Sequence, residues 1–321
     1  MGKGIFRLFV GFFLVIVLDL QPWISPNLFA GPISSRALDS YPVTVLPDLP
    51  TDFISITPNQ AEASPRRWSF VLSRPQSVPP FPVVLNLAVR KYIRAVLAHP
   101  LNLELSFDRC RPFLSQMVRL LEQRNLPPDL VYLTFAESNF ARGGAGPWQL
   151  TKATARRFGL RIDQEIDERR DPIMSTQAAA ELLATLHGKS GDWQITLVAW
   201  NEGERALDRF WMLRGIRYGS LARHLPARTR SLLDRFMADA FIARNASTFG
   251  MQQVSYNDPP PYHLAMVPGG TPLRAIARSH HTTVSELRWY NPAILGSEVP
   301  RDFLSFPVRI PGTRLTVATS F

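Results

Sequence analysis

The sequence predicts a mainly α-helical protein with a small βααβ unit near its C-terminus. Helical spacing of apolar residues begins at about Leu85 and continues to about residue 255, interrupted by proline and glycine at regular intervals. A short proline linker at 256–261 follows, and residues 262–312 then read as strand, two short helices and strand. The chain has 321 residues, 45% of them apolar, which is enough for about two domains with a buried core.

Residues 1–30 have the features of an export signal. Lys3 and Arg7 give a positive start, and an apolar run extends from Leu8 to Leu18. This run is shorter than the ~20 residues that a transmembrane helix needs, and it matches the apolar region of a signal peptide. No clean pattern of small residues marks a cleavage site, so an uncleaved N-terminal anchor with membrane association remains an alternative. Both alternatives predict export to the periplasm or cell envelope.

Residues 31–85 are predicted to form a proline-rich linker. Residues 21–85 hold 12 of the 28 prolines, mixed with Ser, Asp and Thr. Because proline fixes φ and lacks a backbone donor, this composition favours extended chain with at most a few short strands.

The first clear amphipathic helix lies in "RPFLSQMVRLLEQRN", where Phe113, Met117, Leu120 and Leu121 share one face. It should stop at Asn125–Leu126, ahead of two prolines.

Pro128 and Asp129 suit the first turn of a following helix that carries Glu137 near its C-terminal end. The helix dipole disfavours a negative charge at that end, and the preceding residues are apolar. The sequence therefore predicts a raised pKa for Glu137.

Three more long helices complete an all-α domain predicted for residues 86–255. Asp171–Pro172 should begin a helix that ends at Gly188, and Asp192 should cap a helix that ends at Asn201. The third is strongly amphipathic. Its apolar residues are Leu232, Leu233, Phe236, Met237 and Phe241.

Charge and cysteine content limit the classes of partner. The net charge of +10 favours an anionic partner: nucleic acid, a membrane surface or an acidic cell-wall polymer. Arginine pairs such as Arg156–Arg157 are scattered, which argues against a nucleic-acid groove. Cys110 is the only cysteine and is expected in the core, while His280–His281 has no third ligand nearby. The sequence predicts no metal site and no cofactor.

The ordered blocks "ESNF…GAGPWQL", "DERRDPIMSTQAAAELLATLH", "GDWQITLVAWNEG" and "RTRSLLDRFMADAFIA" resemble the soluble lytic transglycosylase (SLT) family. The likeness covers about residues 88–245 and is to the membrane-bound lytic transglycosylase D type. Residues 262–312, with "PGGTPLRAIARSHHTTVSELRWYNP", are similar to a LysM module. The resemblance implies a lysozyme-like all-α catalytic domain followed by a small βααβ LysM module that binds glycan.

The same resemblance implies a lyase that cleaves the MurNAc–GlcNAc β-1,4 bond of peptidoglycan without water and leaves 1,6-anhydro-MurNAc ends. A single Glu would act as acid and then as base, because the N-acetyl group of the substrate replaces the second carboxyl of ordinary glycosidases. Glu137 matches that catalytic residue.

The resemblance assigns five residues to substrate binding or its support. They are Ser138, Trp148, Gln149, Trp200 and Asn201. Three departures from the family pattern stand out: a span from Phe140 to Trp148 that is about six residues short, Trp200 in place of a Tyr, and Leu232 in place of another Tyr. They keep two alternatives open: a weak or inactive peptidoglycan-binding protein, and a hydrolase of the lysozyme type. Protein partners cannot be read from the sequence.

Overall fold

The computed structural model describes residues 68–69, 78–99, 101–141, 143–249, 251–252 and 260–312. The export segment predicted for residues 1–30 lies outside these ranges, as does most of the predicted linker. Within the described ranges, no helix combines the length and the apolar composition that a membrane span requires.

The described chain is mainly α-helical, as the sequence predicts. Helix α1 packs against α9, α2 against α5, and α5 against α6, and together they enclose one apolar core. Cys110 lies in this core with no exposed surface, as expected. The helices are α1 (Leu87–Ala98), α2 (Leu101–Glu122), α3 (Leu133–Ser138), α4 (Lys152–Arg157), α5 (Pro172–Ser190), α6 (Trp193–Glu202), α7 (Ala206–Phe210), α8 (Tyr218–Leu221) and α9 (Ala227–Arg244).

Packing begins before residue 86, inside the predicted linker. Val78, Phe81 and Leu85 are buried, and the Phe81 ring meets Phe236 edge-on at 4.8 Å. A two-residue strand, β1 (Trp68–Ser69), also pairs in parallel with β2 (Met251–Gln252). The end of the proline-rich stretch therefore belongs to the packed domain.

The segment before Glu137 differs from the single helix that the sequence predicts. Pro128–Tyr132 forms a 3-10 helix that begins with a Leu130 N–H bond to Pro127 O, and α3 follows directly. Asn139 adopts the left-handed conformation, with φ of 51°, and ends α3. Asn tolerates this conformation better than most residues because its short amide side chain can form hydrogen bonds with the nearby backbone. The break places Glu137 one residue before the end of the helix.

Asp192 caps its helix as predicted, Asp171 caps the helix that Asp171–Pro172 was predicted to begin, and both helices run slightly further than expected. Asp171 accepts from two backbone N–H groups at the start of α5, and Asp192 does the same for α6. Helix α5 continues to Ser190 and α6 to Glu202, because the glycines that adopt positive φ are Gly191 and Gly203.

The C-terminal unit has the predicted βααβ order. It comprises β3 (Tyr262–Val267), α10 (Leu273–Ser279), α11 (Val284–Tyr290) and β4 (Phe306–Pro311), with β3 and β4 antiparallel. Its apolar side chains form a second core. Arg309 of β4 forms a bidentate ion pair with Asp171 at the start of α5, and the Tyr262 hydroxyl donates to Gln116 Oε1 at 2.9 Å. The unit is thus joined to the helical domain by partly buried polar contacts.

Candidate active site

A cavity of about 560 Å³ opens beside the end of α3. Its walls come from α1, the first turns of α2, the end of α3 and one face of α9. Glu137 and Asn201 both line it, so the fold brings these two predicted site residues together. Further polar lining comes from Tyr92, His99, Asn102, Ser106, Asn139 and Ser231.

Glu137 is half-buried at this cavity. Its Oε1 accepts a hydrogen bond from Trp200 Nε1 at 2.9 Å. Burial raises the pKa of Glu137 above its ordinary value, while the Trp200 hydrogen bond and the charge of Arg228 oppose that rise. The direction predicted from the sequence is confirmed, and desolvation is its main cause.

Trp200 occupies the position where the family pattern has a Tyr, and it still presents a polar donor to Glu137. The indole is held edge-on against Trp148, with ring centroids 5.7 Å apart. Trp148 is only 1% exposed, and its Nε1 donates to Thr176 Oγ1 at 2.8 Å. A chain of contacts therefore leads from α5 through two indoles to the Glu137 carboxyl. Trp148 contributes packing rather than a surface open to a ligand.

Ser138 links the glycine-rich loop, residues 143–147, to α3. Its hydroxyl lies within hydrogen-bonding distance of Thr134 O at 3.0 Å and Pro147 O at 2.9 Å, and it accepts from the Ala141 N–H. Its observed contacts are all with the backbone, so it holds the loop in place beside Glu137.

The short span from Phe140 to Trp148 closes in tight turns. Phe140 is buried with φ of 53°, and Gly146 has φ of 76°. Gln149 is exposed, and its Nε2 donates back to Gly146 O at 2.6 Å. Neither Gln149 nor Trp148 lines the cavity around Glu137. The span therefore lies outside the cavity lining and contacts Ser138 and Trp200.

Asn201 is oriented by a neighbouring hydroxyl. Thr229 Oγ1 lies 2.9 Å from Asn201 Oδ1 and 3.0 Å from Glu202 Oε1, so it can donate to either oxygen. When it donates to Asn201, the amide N–H groups of Asn201 are the donors left for a ligand.

Helix α9 supplies site residues that the sequence reasoning missed. Arg228, Arg235 and Asp239 all line the cavity, together with Leu232, the residue that replaces a family Tyr. The three charged residues follow one another at spacings of seven and four, which places them on one helical face. That polar stripe on the helix was the available signal.

Arg235 and Asp239 belong to the wall that supports α3. Arg235 donates to Asn139 Oδ1 and contacts Ala136 O at 3.5 Å. Asp239 is 2% exposed, and no described residue forms a hydrogen bond with its Oδ2. Burial raises the pKa of Asp239 to about 7, which Arg235 opposes.

The described ranges contain no candidate metal site. No group of three His, Cys, Asp or Glu side chains there is arranged to hold an ion. Burial also raises the pKa of the Cys110 thiol, which suits an inert core residue.

Comparison with known families places this geometry in context. Residues 121–214 match the model described as "Transglycosylase SLT domain". This segment contains Glu137, Ser138, Trp148, Gln149, Trp200 and Asn201. Helices α1 and α9, which build much of the cavity wall, lie outside it.

Three relatives share parts of the chain. Membrane-bound lytic murein transglycosylase D of Escherichia coli K12 is 26% identical over 199 residues, which are 59% of this chain and 44% of that protein. A putative tributyltin chloride resistance protein of Alteromonas sp. M-1 is 38% identical over 30% of this chain and 50% of its own length. Peptidoglycan transglycosylase gp16 of phage T7 is 45% identical over 20% of this chain and 5% of its own length. The chain thus spans less than half of the E. coli protein.

Proposed function

We propose that the chain is a peptidoglycan lytic transglycosylase that cleaves the MurNAc–GlcNAc β-1,4 bond and leaves a 1,6-anhydro-MurNAc end. The observation that carries the proposal is Glu137, a half-buried carboxyl at a cavity with a raised pKa and an indole N–H on its Oε1. A carboxyl with a raised pKa keeps its proton to higher pH than an exposed Glu, and it can release that proton to a substrate. The SLT match and the transglycosylase names of two relatives support the same activity.

In the first step, protonated Glu137 gives its proton to the glycosidic oxygen as the bond from MurNAc C1 to that oxygen breaks. The N-acetyl carbonyl oxygen of the same sugar attacks C1 and carries the positive charge. In the second step, the Glu137 carboxylate takes the proton of the C6 hydroxyl. O6 then displaces the acetamido oxygen from C1, and no water is consumed.

One carboxylate suffices for this sequence of steps. The other carboxyl in the cavity lining, Asp239, is 2% exposed, so it is poorly placed to attack an anomeric carbon or to activate water. This arrangement favours a substrate-assisted route over the two-carboxylate routes of ordinary glycosidases.

The remaining predicted residues divide into three roles. Asn201 would donate to the N-acetyl sugar, and Gln149 would meet the glycan at the rim of the site. Trp200 would steady the Glu137 carboxylate between the two steps. Ser138 and Trp148 would act through the loop and the indole contact, since both are bonded to protein groups.

The C-terminal unit is proposed as a LysM glycan-binding module. Its βααβ order fits, and it exposes apolar side chains, Leu264, Met266 and Leu304, that could lie against sugar rings. With the net charge of +10, this would favour retention on an anionic wall. Export to the cell envelope is part of the same proposal, in keeping with the membrane-bound relative.

Digestion of purified peptidoglycan, followed by mass spectrometry of the products, tests the proposal. Anhydro-muramyl ends are expected. Reducing ends would instead indicate a hydrolase of the lysozyme type, and retained binding without cleavage would indicate a wall-binding protein.

The Glu137→Gln variant should bind peptidoglycan and lose cleavage. The matched control is Glu181→Gln, which removes an exposed carboxyl from α5 whose surface ion pair with Arg124 contributes little. Cleavage by Glu137→Gln at the wild-type rate would refute the mechanism.

A further inference from the structure

The cavity beside Glu137 is lined by two arginine side chains and two carboxyls, and burial opposes the charge of the carboxyls only. Arg228 and Arg235 line it, and the two carboxyls in the lining, Glu137 and Asp239, both have pKa values raised by burial. Ionisation of both carboxyls is therefore opposed, while the guanidinium groups stay charged. Such a cavity favours an anionic group of a ligand.

Of the two arginines, Arg228 is the one whose donors are available. Arg235 is committed to Asn139 and Ala136, and it also lies near Asp239. Arg228 is exposed, and no described residue accepts a hydrogen bond from its guanidinium or forms a salt bridge with it. Its charge nevertheless acts on Glu137, and both side chains line the cavity.

The position of Arg228 in α9 does not serve the stability of that helix. Arg228 lies in the first turn, where the positive end of the helix dipole disfavours a cation. Pro226 provides no side-chain cap, and no acidic residue occurs in that turn. The N-terminus of α9 and the guanidinium of Arg228 therefore both contribute positive potential at the cavity wall.

We propose that Arg228 binds a carboxylate carried on the 3-O-lactyl arm of the muramyl residue. This inference rests on the proposed function. The lactyl arm belongs to the same sugar ring whose C1 is attacked, so it enters the cavity together with the scissile bond. GlcNAc carries no anionic group, and a carboxylate site here would place MurNAc, and not GlcNAc, next to Glu137.

Two sources supply that carboxylate. In glycan strands without peptides it is the free lactyl group itself, and in peptide-bearing strands it belongs to the stem peptide. An arginine can hold either one through paired N–H donors, which a lysine cannot reproduce in the same geometry.

The experiment compares three substrates: strands without peptides, the same strands with their lactyl groups converted to methylamides, and peptide-bearing strands. The proteins are wild type, Arg228→Gln, Arg228→Lys and the control Arg223→Gln. Arg223 is an exposed arginine outside the cavity lining, and its replacement removes the same charge from the chain.

Loss of a charge-assisted hydrogen bond should raise KM roughly 10-fold to 100-fold. For Arg228→Gln, we expect this rise with peptide-free strands if the lactyl carboxylate is bound, or with peptide-bearing strands if the stem peptide supplies it. KM for the methylamide strands should be unchanged, and Arg228→Lys should recover only part of the loss. Equal effects on all three substrates would overturn the inference, because they would mean that Arg228 only tunes Glu137. A matching effect of Arg223→Gln would overturn it too.

A binding measurement separates this inference from the proposed function. In the Glu137→Gln background, calorimetry should show that the peptide-free or the peptide-bearing strands bind more tightly than the methylamide strands, according to which of them supplies the carboxylate. Arg228→Gln should remove that difference. Absence of cleavage by wild type would refute the transglycosylase proposal and leave this measurement decisive for Arg228. If neither carboxylate-bearing substrate bound more tightly than the methylamide strands, the carboxylate site would be refuted even in an active enzyme.

Discussion

Gly146 holds the glycine-rich loop against the segment after α4, and its replacement by alanine should be costly. A Cβ at this position would lie 1.8 Å from Arg169 O, which is backbone and cannot rotate away. The φ of 76° adds a second cost, because an L-residue is strained there. Left-handed geometry costs about 1–2 kcal/mol and overpacking about 1–3 kcal/mol. We therefore expect Gly146→Ala to lower the free energy of unfolding by about 2–5 kcal/mol.

Two neighbouring glycines separate these contributions. Gly144 has φ of 61° with no atom within 4 Å of an added Cβ, so Gly144→Ala carries the backbone cost alone. Gly143 has neither feature, and Gly143→Ala should be neutral or slightly stabilising.

Thermal unfolding of the three variants, at about 2–4 °C per kcal/mol, should rank Gly146→Ala lowest, then Gly144→Ala, then Gly143→Ala. Cleavage should fall most in Gly146→Ala, because Pro147 O contacts Ser138. Equal melting temperatures of Gly146→Ala and Gly144→Ala would refute the argument that a Cβ at position 146 clashes with Arg169 O.

Two further predictions concern titration. Trp200→Phe removes the hydrogen bond that stabilises the Glu137 carboxylate, so the pKa of Glu137 should rise, and the fall of kcat/KM with rising pH should move to higher pH; an unmoved profile would contradict the bond. Burial raises the pKa of Asp239 from 3.8 to about 7, so the folded chain keeps a proton that the unfolded chain releases above pH 3.8. Stability in urea should therefore decline between about pH 4 and 7, and Asp239→Asn should flatten this decline; an unchanged slope would count against the buried carboxyl.

Local signals in the sequence were sufficient for most of the elements. Asp171 and Asp192 cap the helices whose starts they were predicted to mark, because a cap depends only on residues within one turn. The βααβ order of the C-terminal unit followed from apolar spacing and turns for the same reason. The predicted ends of α5 and α6 were wrong by two residues and one residue. The sequence offers more than one possible stop within a few residues, such as Gly188 and Gly191 at the end of α5.

Long-range contacts explain what the sequence reasoning did not reach. Phe81 was assigned to a linker because its neighbours are prolines, and only its contact with Phe236 shows that it belongs to the core. From the sequence, Trp200 in place of a Tyr was only a departure from the family pattern. Only the packing of Trp200 on Trp148 reveals that the indole N–H reaches Glu137.

By itself, the sequence determined the helical character of the chain, the position of Glu137 near a helix end and the direction of its pKa shift. These features depend on residues within a few positions of one another. The tertiary structure decided which side chains share the cavity: α9 brings Arg228 to Glu137 across about ninety residues of chain. No local pattern specifies that meeting, because it depends on how α1, α3 and α9 pack together.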